Sequence, residues 1–334
     1  ARRQQEGPPF FLCASYTHPH DPFITTHRWW DLYDHDDVDM PAAPEVPMDE
    51  MHPYNRWLQI HHMVDVYPPG EEDVRNARHA FYGMVSYFDS KIGELVAELR
   101  RLGLAENTVV VVTSDHGEMM GEHGMWFKRT YFDPSARIPL LVSGPNGAVS
   151  PRSVSQTVSL IDLFPTFLEL AGLDDWEEIQ EAVDGDSLGG LLRDEGALPW
   201  KNCALSEYYS EGVCQPMRMA VGDRLKYVYV HNEPPQLFDL EKDPHELYNC
   251  IGDPAYADRL VALRARVHDG WDPDELRAQV IESQRRRRYI NEAMDHGRLE
   301  HWDVQPHFDA TGQYVRKYDS QHTNALRRYP RVDD

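Results

Sequence analysis

The sequence predicts an α/β fold with a mostly parallel central sheet, followed by a small antiparallel sheet with helices and an irregular tail. Three observations carry that expectation. A helical pattern over residues 71–102 runs through Gly103 into Thr108-Val109-Val110-Val111-Val112-Thr113, a β-branched run of the kind covered on both faces in parallel sheets. After about residue 195 short strand patterns alternate with Gly, Asn and Pro turns, as in an antiparallel meander. From Trp302 onward the chain is aromatic and irregular.

Taken in order, Phe10 to Tyr16 reads as a short buried strand, ended by the loop Thr17-His18-Pro19-His20-Asp21-Pro22. Residues 23–70 are rich in Asp, Pro, Met and Trp without a clear period, an irregular excursion of the kind that lines a site. Glu71, Glu72 and Asp73 open a helix, Phe81, Met84, Val85, Phe88, Ile92, Leu95 and Leu99 form its apolar stripe, and Arg100-Arg101 precede Gly103. Helix, short turn and the strand Thr108 to Thr113 make half of a doubly wound unit. Ile138 to Val142 is a further strand, with Pro139 pointing to an edge or a strand start. Ser159 to Ala171 is a helix closed by Gly172. Strands follow at Cys203 to Tyr208, Met217 to Val221 and Lys226 to Val230, then helices near 254–270 and 273–296. The run Arg285-Arg286-Arg287-Arg288 in an acidic chain reads as a solvated or ion-paired helix face.

Composition narrows the function classes. With 334 residues, 41% hydrophobic content and a formal net charge of −23, the chain is a folded protein with no basic surplus for nucleic acid. No run of about 18 apolar residues is present, so no span of a membrane is expected. Four scattered cysteines (Cys13, Cys203, Cys214, Cys250) form neither a disulfide framework nor a zinc pattern, which points to a reducing, cytoplasmic setting. Ala1-Arg2-Arg3-Gln4-Gln5-Glu6 has no initiator Met and no apolar signal region, so the natural protein is expected to continue upstream.

Chemistry concentrates at Ser114-Asp115-His116-Gly117, on the carboxyl end of the β-branched strand, where open α/β sheets bind ligands. Asp115 and His116 can both reach one divalent cation, and Gly117 lets the backbone turn away. Standing alone, the tetrapeptide would read equally well as an ordinary turn. Lys128 lies twelve residues after His116, beyond Gly121-Glu122-His123-Gly124, and can neutralise an anion beside the metal. The plain alternative for Lys128 is a loop cation, and for His123 a packing role. His20 can donate to an anionic oxygen or protonate a leaving alcohol, with His18 as a competing candidate.

On these segments the chain resembles the sulfatase family of the alkaline phosphatase superfamily. Phe11 to Pro22 is similar to the family's strand and His-bearing loop, Thr113 to Glu118 with Gly121 to Lys128 to its metal and sulfate loop, and Leu237-Phe238-Asp239-Leu240-Glu241-Lys242-Asp243-Pro244-His245-Glu246-Leu247-Tyr248-Asn249 to its C-terminal signature. The resemblance implies an alkaline-phosphatase-like sandwich, with the signature marking a strand that turns into a helix. It implies Asp115 and His116 as metal ligands, and Lys128 and His20 as sulfate contacts. Ca2+ is the implied cation, with Mn2+ or Mg2+ as alternatives. It implies residues 1–195 as part of the main α/β domain, 196–275 as a small α+β subdomain and 276–334 as an extension.

Trp302-Asp303-Val304-Gln305-Pro306, Asp309-Ala310 and Gln313-Tyr314-Val315-Arg316 resemble the C-terminal extension of choline-sulfatases, as does Phe127 to Pro139. This implies choline-O-sulfate as substrate and a homo-oligomer in which the tail of one subunit closes a neighbour's site. Aromatic faces and carboxylates suit a quaternary ammonium, and Glu207, Glu211, Trp302 and Asp319 are candidates, each equally readable as ordinary packing or ion pairing.

Family chemistry also requires a formylglycine from a Cys/Ser-x-Pro-x-Arg motif and an Asp pair on the first strand, neither of which precedes Phe10. Cys214-Gln215-Pro216-Met217-Arg218 fits by letter but lies about a hundred residues after Asp115, in the antiparallel region, and is rejected as the nucleophile. The formylglycine is therefore expected upstream, and this chain alone is expected to lack turnover. The alternatives are a phosphonate or phosphate monoester hydrolase of the same fold, or a non-catalytic oligomerising relative.

Overall fold

The computed structural model describes residues 9–145, 148–173, 183–193 and 199–297. The segment 23–70, expected to be irregular, contains two helices, α1 (His27–Trp30) and α2 (Pro53–His61). Pro53 suits a first turn because its missing N–H has no helical partner there, and His52 accepts from the Tyr54 amide at 3.3 Å. Tyr54 and Leu58, one turn apart, are buried on the same face. The long helix forms as expected. α3 (Glu71–Arg101) starts with three acidic residues, and Asp73 accepts from the Gly70 amide at 2.8 Å. α1 lies against α3, with the Trp30 indole stacked on buried His79 at 3.6 Å between ring centroids.

β1 (Val110–Thr113) pairs antiparallel with β2 (Leu140–Ser143), setting Val111 opposite Val142 and Thr113 opposite Leu140. The α/β class holds, but the mostly parallel sheet is not seen among the described residues, where both sheets are antiparallel. Phe10 to Tyr16, expected as a buried strand, has no sheet partner there, and Phe11 and Leu12 are 74% and 72% exposed. Without a neighbour to receive its N–H and C=O groups, a segment of β-forming residues makes no sheet. Val111 and Leu140 pack on Leu163, Leu188 and Leu191.

α4 (Asp133–Ala136) is a single turn between the two strands. The helix expected from Ser159 opens with a 3-10 turn at Leu160–Asp162 and continues as α5 (Leu163–Leu170). Asp162 accepts from the Ser159 amide at 2.8 Å, and Gly172 closes the helix at φ 70°. α6 (Gly189–Arg193) follows.

The meander is present: β3 (Cys203–Tyr208), β4 (Met217–Gly222), β5 (Leu225–Val230) and β6 (Gln236–Asp239) lie antiparallel in sequence order. The segment after β6 does not pass directly into a helix. Asp239 Oδ1 accepts from the amides of Glu241 (3.1 Å) and Lys242 (3.2 Å), and Asp243 Oδ2 from that of Tyr248 (2.8 Å), so short side chains hold turns there. α7 (Ala257–His268) begins only after these turns and packs Leu260, Leu263 and Val267 on one face of the sheet. The opposite face, through Met217, Met219, Val228 and Phe238, packs on Tyr54, Leu58, Met119, Met125, Tyr131 and Phe132. This second face supports the candidate site. α8 (Pro273–Asp295) buries no residue, and its arginine run is solvated, Arg286 pairing with Glu282 at 3.4 Å. Among the described residues no helix is long and apolar enough to cross a membrane.

Candidate active site

β1 ends at Thr113 and delivers Ser114 to Gly117. Ser114 Oγ donates to the His116 carbonyl at 2.6 Å, and Asp115 Oδ1 accepts from the His116 amide at 3.1 Å. The Asp115 side chain is 83% exposed. His116 Nδ1 lies 2.8 Å from the Gly117 carbonyl, which can only accept, so Nδ1 carries a proton and a ligating lone pair would have to come from Nε2. That nitrogen is 3.6 Å from Asp115 Oδ2. Two donors bound to one cation at about 2.1–2.4 Å stand about 3–3.6 Å apart, so this oxygen and nitrogen fit a shared divalent ion. Among the described residues no group of three or more His, Cys, Asp and Glu gathers for a metal, so the pair supplies two ligands only.

The loop from Met119 to Arg129 folds back over the strand end. Met119 N donates to Phe127 O at 2.8 Å and Gly121 N to Met125 O at 2.9 Å. The tight path puts Met120, His123, Phe127 and Arg129 in left-handed backbone, with φ of 50°, 56°, 64° and 82°. Three outside contacts fix it: Glu122 Oε2 accepts from the Ala43 amide (2.7 Å), Gln59 Nε2 donates to Gly124 O (2.9 Å) and Arg78 Nη1 to Met120 O (3.1 Å).

Lys128 Nζ meets His20 Nε2. An ammonium only donates, so Nε2 accepts, while His20 Nδ1 donates towards the Asp21 carbonyl at 2.8 Å and Oδ1 at 3.0 Å. The His20 and His116 rings lie 6.2 Å apart. The structure thus gathers His20, Lys128, Asp115 and His116. His18 instead packs edge-on against Tyr87 at 5.3 Å. His123 is buried and stacked on Phe132 at 3.9 Å, a packing role.

Two groups beside these residues escaped sequence reasoning. Burial pushes the Glu118 carboxyl up to about 7, with Lys128 opposing and Asp21 adding to the shift. Its Oε1 has no hydrogen-bond partner among the described residues. Its position directly after Gly117 was the only available signal. The second group is His62, whose Nε2 accepts from Arg129 Nη1 at 3.1 Å and whose ring meets Phe127 at 5.0 Å. Burial, then the charges of Arg129, His61 and Lys128, lower its pKa to about 3. No spacing in the sequence links His62 to Arg129.

The two described acidic candidates are both counter-ions. Glu211 pairs with Arg129 Nη2, and Tyr208 donates to the Glu211 carbonyl at 2.8 Å. Glu207 pairs with Arg218, which also donates to Val267 O at 3.0 Å. Trp302 and Asp319 lie outside the described residues. Burial pushes the Cys214 thiol up to about 11, the reverse of an activated thiolate.

The Sulfatase family model matches residues 2–173, the N-sulphoglucosamine sulphohydrolase C-terminal model residues 121–271, and the choline sulfatase enzyme C-terminal model residues 278–328. Choline-sulfatase of Rhizobium meliloti is 36% identical over 331 residues, covering 97% of this chain and 63% of that protein. Arylsulfatase K of Xenopus laevis is 33% identical, covering 75% of this chain and 49% of that protein. Among solved structures, phosphonate monoester hydrolase of Agrobacterium radiobacter superposes with a TM-score of 0.64 at 25% identity, covering 78% of this chain and 58% of that one. The chain spans less than two thirds of the length of each of these relatives.

Proposed function

This chain belongs to the sulfatase family, and from that premise we propose that it furnishes part of the active site of a sulfuric ester hydrolase acting on choline-O-sulfate. The observation that carries the proposal is the contact of Lys128 with His20 beside the Asp115–His116 pair. Asp115 Oδ2 and His116 Nε2 would hold a divalent cation, Ca2+ or Mg2+ if oxygen donors complete the site, with the His116 nitrogen leaving room for Mn2+. Such an ion would polarise the sulfuryl oxygens.

The remaining work falls to this chain's side chains. The Lys128 ammonium balances charge on the nonbridging oxygens as the ester bond breaks. His20, its Nδ1 proton committed to Asp21, would sit beside the departing oxygen with Lys128 and help to balance the charge that develops there. The attacking group in this proposal is a formylglycine, and Cys214 is not its source. The choline preference draws on similarity to choline-sulfatase and on the matched C-terminal segment 278–328. Of the two described candidates, Glu211, tied to the residue after Lys128, is better placed than Glu207 to meet a trimethylammonium group. Tail exchange between subunits through Trp302 and Asp319 belongs to the same proposal.

The test is hydrolysis of choline-O-sulfate by the natural gene product and by its Lys128→Ala variant. A loss of about 10²–10³ in kcat/KM is expected, the usual range for removing a charge-stabilising donor. Equal turnover by both proteins would remove Lys128 from the site. The similarity to phosphonate monoester hydrolase favours a second reading. Faster turnover of a phosphonate monoester than of any sulfate ester would replace the first.

A further inference from the structure

Resting on the reading of Asp115 and His116 as metal ligands, we infer that Glu246 is a positioning residue for them, acting through a buried clamp on the Asp133 turn. Lys226 projects from β5 and is 1% exposed, where an ammonium is tolerated only if its N–H groups are matched. Its Nζ donates to Tyr131 O at 2.7 Å, Asp133 Oδ1 at 2.6 Å and Glu246 Oε1 at 2.7 Å. Glu246 reaches this point from a left-handed backbone (φ 54°) within the turns held by Asp239 and Asp243. Its other oxygen, Oε2, accepts from the Asp133 amide at 2.6 Å. One carboxylate therefore ties β5 to the first residue of α4.

α4 in turn carries the carbonyls that hold the metal loop. Ser135 O accepts from the Gly117 amide at 2.8 Å, and Pro134 O from the Glu118 amide at 2.7 Å. The approach is so close that a Cβ on Gly117 would stand 2.0 Å from Pro134 O. The path from Glu246 to His116 thus runs through a hydrogen bond, a helical turn and two more hydrogen bonds, all to backbone once it leaves the carboxylate.

The negative charge is essential to this arrangement, because both oxygens of Glu246 accept. Glutamine has the same size but accepts at one atom only. Its NH2 would face either the Lys226 ammonium or the Asp133 amide, a contact between two donors.

Amide hydrogen exchange tests the clamp without reference to a metal. In Glu246→Gln the amides of Gly117 and Glu118 should exchange about tenfold faster or more, with those of β4 unchanged. Asp243→Asn, in the same turn but bonded to the Tyr248 amide and not to Asp133, should leave Gly117 and Glu118 at the wild-type rate. An unchanged rate in Glu246→Gln, or equal acceleration in Asp243→Asn, overturns the inference. If Glu246→Gln loosens β4 as well, the double replacement Lys226→Met, Glu246→Leu removes the facing charges together and should still accelerate Gly117 and Glu118 alone; a wild-type rate there also overturns it. Calcium titration of the gene product should show about tenfold weaker binding in Glu246→Gln. If the wild-type protein bound no divalent cation, the proposed metal role of Asp115 and His116 would fall, while the exchange result would still decide whether the clamp exists.

Discussion

Acidification should unfold this protein partly through a single ring. His62 accepts from Arg129 at 3.1 Å and lies near Lys128, so its protonated form is disfavoured by burial and by neighbouring cations, and its folded pKa falls to about 3 from 6.5. Between these values the unfolded chain binds a proton that the folded chain does not, so stability falls as pH drops below 6.5. At pH 5 the difference amounts to about 1.5 pH units of linkage, or about 2 kcal/mol. Glutamine at position 62 can still accept from Arg129 but does not titrate. Urea unfolding at pH 7.5 and pH 5 measures the effect: the wild type should lose about 2 kcal/mol more than His62→Gln on acidification. Parallel losses in the two proteins would mean that His62 takes up its proton in the folded state as readily as in the unfolded one.

Two further substitutions probe the structure around the site. Lys226→Met leaves the buried Glu246 carboxylate and Asp133 without their counter-ion and should cost about 3–5 kcal/mol in denaturant unfolding, whereas a cost under about 1 kcal/mol would show that these carboxylates are solvated. Gly117→Ala forces a Cβ against Pro134 O, a backbone atom that cannot swing away, and should lower the proposed sulfate ester turnover of the natural gene product by about 10²-fold through displacement of Asp115 and His116; unaltered kcat would show that the loop shifts freely.

Local signals made much of this fold legible. The acidic start of α3, its apolar stripe and its final arginines are read within one segment, and the β3–β5 meander announces itself by turn residues every few positions. The loop proposed to hold a metal stood out because Asp115, His116 and Gly117 are adjacent and follow a β-branched run. α2 was missed because its buried face mixes Tyr54 and Leu58 with the polar Asn55 and Gln59, which blurs the helical period. The antiparallel pairing of β1 with β2 was missed because a β-branched run reports burial, not the direction of its neighbour. Phe10 to Tyr16 failed as a strand for a related reason: propensity says nothing of whether a partner is present. The charge networks were illegible, since Lys226 meets Asp133 across 93 residues and Arg129 meets His62 across 67. What linked His20 to Lys128 across 108 residues was a family resemblance, and no periodicity would have found it.

The two-stranded sheet of β1 and β2 has a bearing on how the protein behaves in a tube. Its outer edges have no strand partner among the described residues, and Leu141 on β2 is 60% exposed. Open N–H and C=O rows beside apolar side chains are a template for pairing with a second molecule. A net charge of −23 opposes that encounter, but only over the Debye length, about 30 Å at 0.01 M salt and about 8 Å at 0.15 M. For the chain by itself, the repulsion that keeps two such edges apart at low salt therefore weakens as salt is added.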